Sequence, residues 1–190
     1  MPVELVWPAA SYLPEYVRAL ERGWSPDNLR PEVAEEELAR IATDAKGFVA
    51  AQLDREAKGP PITPPDGSKV PRLPSYNRWI WDGEFCGSIG FRWQPGTSEL
   101  PWYCMGHIGY SVVSWKRRRG YATAALKLLL VEVKAEGLPY VELTTNVGNI
   151  PSQRVIEANG GSVVERFHKP SVYGGAESFR FRIQLSEDRR

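Results

Sequence analysis

The sequence predicts a mixed fold of the α+β class: a mostly antiparallel central sheet of about seven strands, flanked by about four helices. Three observations predict it. Hydrophobic residues recur at helical spacing in four segments and in extended runs in seven others. The order of these segments is β-α-α-β-β-β-α-β-α-β-β, and its strand-helix-strand crossover within a set of consecutive strands implies a mixed sheet with helices on its faces. The 190 residues, 42% hydrophobic and 25% charged, suit one domain spanning 1–190 with a sizeable core.

The first strand is read at residues 3–7. Pro14 and Pro31 then stand at the first turns of two helices, where a missing N–H costs nothing. In the second helix Leu38, Ile41, Ala45, Phe48, Val49 and Leu53 share one face. Residues 58–76, with Pro60, Pro61, Pro64, Pro65, Pro71 and Pro74, exclude a helix and read as one long loop, of the kind that is either a lid or binding loop or a disordered insertion. Extended runs follow at 76–81, at 85–93 beyond an Asp82-Gly83 turn signal, and at 106–113. Helical period returns at 119–136, with Gly137 as its stop, then a strand at 140–145 on which Glu142 reads as solvated. A short helix at 151–160 and strands at 162–168 and 178–185 complete the chain.

Composition removes several function classes. No run approaches the 18 to 20 apolar residues of a membrane span, and the N-terminus lacks a basic segment followed by an apolar one. A cytoplasmic protein without membrane partners is the expectation. Cys86, Cys104, His107 and His168 make neither a disulfide framework nor a zinc-spaced cluster, so no metal site is expected. Residues 1–110 carry 11 Lys+Arg against 15 Asp+Glu, whereas residues 111–190 carry 13 against 8. The C-terminal part could therefore attract an anion.

That anion site is best placed at residues 106–123, where a strand runs through Lys116, Arg117, Arg118, Arg119 and Gly120 into a long helix. First-turn N–H groups have no intrahelical acceptor and the helix dipole is positive there, so a phosphate can be held by main chain. Gly120 lets the backbone approach it. The nucleoside-triphosphate loop and the dinucleotide fingerprint are both absent. Four cations at one turn, with no second basic stripe, suit a pyrophosphate better than a nucleic acid track.

The segments SVVSWKRRRGYAT and NIPSQRVIEANGG resemble the acetyl-CoA-binding motif and the following helix motif of the GNAT superfamily of N-acetyltransferases. They look most like the branch that holds the ribosomal-protein-alanine N-acetyltransferases. The family element Gln/Arg-x-x-Gly-x-Gly/Ala falls on Arg117, Gly120 and Ala122. The resemblance implies a three-layer GNAT-like fold, with acetyl-CoA as acyl donor to a primary amine that attacks it directly in a ternary complex. It implies that the main chain of residues 117–122, with the side chains of Arg117, Arg118 and Arg119 and the turn through Gly120, Tyr121 and Ala122, holds the pyrophosphate. Val112 and Val113 would pair with pantetheine, Asn149 would lie near its arm, and Ser152 would protonate the departing thiolate. By alignment to the strand motif His107 stands where many members carry a glutamate, and it is the candidate base. Tyr173 and Glu177, between the last two strands, would contact the acceptor. A homodimer is a possible assembly, and a CoA-binding sensor without catalysis and a basic nucleic-acid-binding module are the alternatives.

Overall fold

The computed structural model describes residues 2–185. Along the chain run β1 (Glu4–Val6), α1 (Leu13–Glu21), α2 (Val33–Ala50), β2 (Leu53–Asp54), β3 (Ser75–Trp81), β4 (Phe85–Arg92), β5 (Ile108–Val112), α3 (Tyr121–Val133), β6 (Tyr140–Asn146), α4 (Ile150–Glu157), β7 (Ser162–His168) and β8 (Glu177–Gln184). The mixed α/β fold is the expected one. It has one strand more than the periodicity shows, because Leu53, read as the last apolar position of a helix, lies in the two-residue β2 and pairs with Tyr76.

The strands form two hydrogen-bonded sets, and every ladder within them is antiparallel. The first has the order β1-β3-β4-β5 with β2 alongside β3; the second has the order β6-β8-β7. No ladder joins β5 to β6. The crossover through α3 does bring those two strands together, but they touch through a short run of bonds at one end. The His107 N–H donates to the Glu142 carbonyl at 2.8 Å, the Glu142 N–H donates to His107 Nδ1 at 2.9 Å, and the Thr144 hydroxyl donates to the Met105 carbonyl. Gly106 makes this contact possible, since a Cβ there would lie 3.1 Å from the Glu142 carbonyl oxygen and 3.4 Å from Leu143 Cα. Beyond that point the sheet is open.

Alternation along β3 and β4 divides the core into two layers. Trp79 and Phe85 face α1 and α2, where Tyr16 stacks on Trp79 with ring centroids 4.5 Å apart and Phe48 closes the cluster. Ile80, Cys86, Ile89 and Phe91 face the other way, onto Ala125, Leu126 and Leu129 of α3 and Ile156 of α4. The three-layer arrangement follows from period-2 strands buried on both faces. Within α2 the backbone breaks at Asp44 (φ −150°, ψ 79°), whose carboxylate accepts the Gly47 N–H at 2.8 Å. Asp44 is thus an internal N-cap that restarts the helix. The α3 stop is the expected one: after a short 3-10 turn, Gly137 adopts the left-handed conformation at φ +72°.

Residues 58–76 are pinned rather than featureless. Ile62 and Val70 bridge antiparallel, Asp54 accepts the N–H groups of Lys58 and Gly59, and the Tyr103 hydroxyl donates to the Pro71 carbonyl at 2.9 Å. The strand reading of Glu142 as solvated is corrected by the structure. Glu142 is buried, and its carboxylate accepts from Arg180 Nη1 at 3.2 Å and Arg182 Nη2 at 2.7 Å, both on β8. Strand alternation finds the side chain's face but not the two arginines that β8 brings over it.

Glu142 is the buried member of this cluster, whereas Arg180 and Arg182 are partly exposed and Arg180 also lies 2.8 Å from Glu165. We therefore expect Glu142→Ala to cost about 1 to 2 kcal/mol in urea unfolding, less than the loss at a fully buried pair, with Glu142→Gln intermediate. A loss under about 0.5 kcal/mol would class this cluster with exposed pairs.

Candidate active site

The opening between β5 and β6 leads into a cavity of about 570 Å³ that runs on over β4 to α1 and α2. On β4 and β5 it is lined by the cross-strand pair Gly90 and Gly109, which presents no side chains, and by Ser88, Arg92, Ile108 and Tyr110. Tyr110, Asn149 and Ser152 line it at the opening, Tyr16 and Glu37 on the helical side, and Arg92, Tyr103, Lys169 and Tyr173 also border it.

The β5 edge is exposed by register. Val113 N–H donates to the Cys86 carbonyl at 3.0 Å and Arg92 N–H to the His107 carbonyl at 2.9 Å, so odd-numbered residues of this strand bond to β4. The backbone groups of Ile108, Tyr110 and Val112 therefore face the opening. Two of the carbonyls are taken, Tyr110 by Asn28 Nδ2 at 2.8 Å and Val112 by Arg117 Nε at 3.2 Å. Val113, expected to pair with a ligand together with Val112, is buried and faces β4; only Val112 is on the open edge.

After β5 a 3-10 turn, Ser114–Lys116, leads to residues 117–120 and the start of α3. Arg117 N–H closes that turn onto the Ser114 carbonyl, so its main chain does not belong to the expected anion cradle. Gly120 is left-handed at φ +81° with no side-chain cap on the helix, and the first-turn N–H groups of Tyr121, Ala122 and Thr123 point out along the axis. Arg117, Arg118 and Arg119 are exposed around this terminus, with Arg118 itself at φ +61°. Lys116 and Tyr121 have a different task. Lys116 Nζ donates to Asp82 at 2.7 Å and lies 3.2 Å from Glu84, while the Tyr121 hydroxyl donates to the other Asp82 oxygen. Burial alone would raise the Asp82 carboxyl, but the bonds from Lys116 and Tyr121 outweigh it and hold it well below the usual carboxylate range. The β3–β4 turn thus clamps both ends of the basic loop.

Ser152 and Asn149 divide their roles at the start of α4. Asn149 is the N-cap, accepting the Ser152 N–H at 3.3 Å, which leaves the Ser152 hydroxyl 2.9 Å from the Tyr110 hydroxyl across the opening. Burial raises the Tyr110 phenol. Tyr173 lines the cavity and donates to the Tyr103 carbonyl at 3.1 Å. Glu177 does not line it: its carboxylate is engaged by Arg166 across β7 and β8 at 2.7 and 3.0 Å, which removes it from the expected acceptor contacts.

His107 is not brought to the cavity either. It is 0% exposed, while its neighbours Gly106 and Ile108 line the wall. Its Nδ1 is an acceptor for Glu142, so the neutral ring carries its proton on Nε2, which is buried without a partner. Burial pushes the imidazole down to about 4. The structure places the expected base in the joint that ties the two strand sets together, away from the cavity lining. Two carboxylates line the cavity: Asp27, which accepts the Leu29 and Arg30 N–H groups, and Glu37, which accepts the Tyr16 hydroxyl and is raised by burial. The sequence offers no signal for it, because an acid among Glu35, Glu36 and Arg40 on an amphipathic helix looks solvated.

The Acetyltransferase (GNAT) domain family matches residues 13–162. No curated protein matches the sequence. Among solved structures, the microcin C7 self-immunity acetyltransferase MccE in complex with acetyl-CoA and AMP aligns at TM-score 0.63 and 13% identity, over 96% of this chain and 92% of that one. RimL, a ribosomal L7/L12 α-N-protein acetyltransferase in complex with coenzyme A, aligns at 0.62 and 13%, over 96% and 93%. A putative ribosomal-protein-serine acetyltransferase from Vibrio cholerae aligns at 0.58 and 15%, over 96% and 93%. At these identities the likeness is one of fold.

The exposed helix start sets one expectation. Gly120→Glu has open space for its side chain and costs the fold about 1 kcal/mol for the left-handed backbone, but places a carboxylate at the dipole's positive end. Calorimetry should show acetyl-CoA binding lost; unchanged affinity would remove the anion site from this turn. A second concerns His107. Because its folded pKa lies below the 6.5 of a free imidazole, its contribution to stability is intact above about 6.5 and is lost as pH falls toward about 4. His107→Ala should flatten that part of the stability profile and cost about 2 kcal/mol at neutral pH by orphaning the Glu142 N–H, while the shape of the activity profile above pH 6 stays that of the parent. An activity loss that recovers only at high pH would return His107 to the role of base.

Proposed function

Since the chain belongs to the acetyltransferase (GNAT) domain family, we propose that it is an acetyl-CoA-dependent N-acetyltransferase acting by direct attack of a primary amine within a ternary complex. The observation that carries this reading is the open edge of β5, which runs into the uncapped start of α3. An extended chain with amide groups can continue the interrupted ladder at Ile108, Tyr110 and Val112, and a pyrophosphate at its end would meet the N–H groups of Tyr121, Ala122 and Thr123. Arg117, Arg118 and Arg119 add charge, and Asn149 stands beside the pantetheine path. The MccE and RimL structures, determined with acetyl-CoA and coenzyme A respectively, support the same choice of donor.

The chemistry asks for a neutral amine and a proton for the thiolate. An alkylamine has a pKa of about 10.4 and a thiol one of about 8.5, so the amine is the harder of the two to prepare. In this reading Glu37 takes the amine proton, its carboxyl raised by burial toward the working pH and oriented by Tyr16. Ser152 and Tyr110 form the donor pair at the thiolate, with Tyr110 able to replace the proton that Ser152 gives. Tyr173 borders the acceptor. The branch of the family and the identity of the amine are set by the cavity rather than by the basic turn.

The test is release of free thiol from acetyl-CoA over a panel of amines, amino acids, antibiotics and N-terminal peptides. Turnover of any of them establishes the activity; stoichiometric binding without turnover across the panel would favour a CoA-binding sensor. For the active acceptor, Ser152→Ala should lower kcat by up to about 100-fold with little change in the acetyl-CoA KM, the size of one general acid. Tyr110→Phe should act in the same direction. An unchanged kcat in both would assign thiolate protonation to water.

A further inference from the structure

Resting on the acetyltransferase reading, we propose that the acceptor amine also carries an anionic oxygen group, a carboxylate or a phosphate, and that Lys169 and Arg92 bind it. Lys169 lies in the connection between β7 and β8, where its N–H donates to the Ala176 carbonyl at 3.1 Å and its side chain lines the cavity. It is 9% exposed. Its Nζ donates to Asn146 Oδ1 at 2.8 Å, and no carboxylate among the described residues lies within 4.0 Å of it. An ammonium has three N–H donors, and a neutral amide oxygen satisfies one of them.

The contrast with Lys116 shows what is missing. Both lysines are buried, but Lys116 sits against Asp82 and Glu84, whereas Lys169 has burial acting on it with no charged neighbour to offset the cost. A desolvated, uncompensated cation is expensive, and an anion entering the cavity would relieve it. Arg92 provides the second observation. It is exposed rather than desolvated, but it lines the same cavity, its Nη2 reaches to 3.2 Å from where a Gly109 Cβ would be, and it makes no ion pair among the described residues, so its charge is available to a ligand there. Tyr103 borders the same cavity: it lines a neighbouring cleft with Arg92, and its carbonyl accepts from Tyr173, which shares the β7–β8 connection with Lys169.

The carboxylates of the cavity are already engaged. Asp27 accepts the Leu29 and Arg30 N–H groups, and Glu37 accepts the Tyr16 hydroxyl. Neither pairs with Lys169 or Arg92. A cavity with a raised carboxyl on the helical side and two unpaired cations on its other border suits a molecule that brings an amine and an acid together.

The test uses the full chain loaded with coenzyme A, so that the basic turn is filled. Calorimetry first establishes acetyl-CoA binding; its failure would sink the acetyltransferase reading and this proposal with it. The loaded protein is then titrated with inorganic phosphate and, separately, with acetate at constant ionic strength, following the amide resonances of Lys169 and Asn146. A saturable shift is expected with at least one ion, lost in Lys169→Met and retained in Lys169→Arg, and the ion preferred identifies phosphate or carboxylate as the source. Absence of saturation in the parent protein, or equal saturation in a folded Lys169→Met, overturns the proposal while leaving the acetyltransferase reading intact. With acceptors that turn over, Lys169→Met should raise the KM of the anionic member of a matched pair, such as an amino acid against its carboxamide, by about 10- to 100-fold relative to the neutral member.

Discussion

The molecule depends on how β5 and β6 are joined and where they part. A strand edge normally needs a continuous partner, because buried N–H and C=O groups without one are costly. Here the contact is confined to the stretch around Gly106, His107 and Glu142. His107 supplies both a main-chain donor and, through Nδ1, the acceptor for the Glu142 N–H. A side chain thus takes the place of a carbonyl, since the His107 carbonyl is already committed to Arg92 on β4. The strands are held firmly at one end and released at the other. Glu142 anchors the far side of the joint, because its carboxylate is bound by two arginines of β8.

That joint explains why the rest of the site can be open. Two carbonyls on the open edge of β5 are satisfied by Asn28, from the α1–α2 connection, and Arg117, from the turn after β5. The basic turn beyond would be a poorly held cluster of like charges if all four of its cations were free. Instead Lys116 is neutralised by Asp82 and Glu84, and Asp82 also takes the Tyr121 hydroxyl from the first turn of α3. The turn is fixed by an ion pair on its inner side and presents Arg117, Arg118 and Arg119 on its outer side. Ion-paired and exposed charge are separated residue by residue.

The legible part of this protein was local. Helical period, Gly137 and the strand-turn-helix at 106–123 are properties of neighbouring residues, and the structure places those elements where the sequence does. The misread positions are those whose environment is made by distant segments. Glu142 follows strand alternation, yet its partners Arg180 and Arg182 come from β8, about forty positions away. His107 has the chemistry of a base, but its burial comes from a joint between two sheets that no periodicity encodes. Asp44 restarts a helix in the middle of a continuous apolar pattern, because a cap competes with the helix locally and leaves the face on both sides intact. The split of the sheet itself is invisible to periodicity, which reports strands and not their ladders.

The same distinction divides the site in two. The face proposed for acetyl-CoA is built mainly from one contiguous stretch, residues 106–123, with Asn149 and Ser152 opposite. The acceptor side draws Tyr16 and Glu37 from the first two helices, Arg92 from β4, Tyr103 from the following connection, and Lys169 and Tyr173 from the last one. A contiguous stretch can be recognised as a motif and constrains itself through its own backbone. Scattered side chains are held by the fold, and each can be exchanged without disturbing the turn proposed to bind the donor. With Gly90 and Gly109 contributing no side chains to the lining, selectivity for the proposed amine would rest largely on that scattered rim. Charge on the rim is therefore what distinguishes this cavity: a half-buried carboxyl from α2 and a buried ammonium from the β7–β8 connection border one space without pairing to each other.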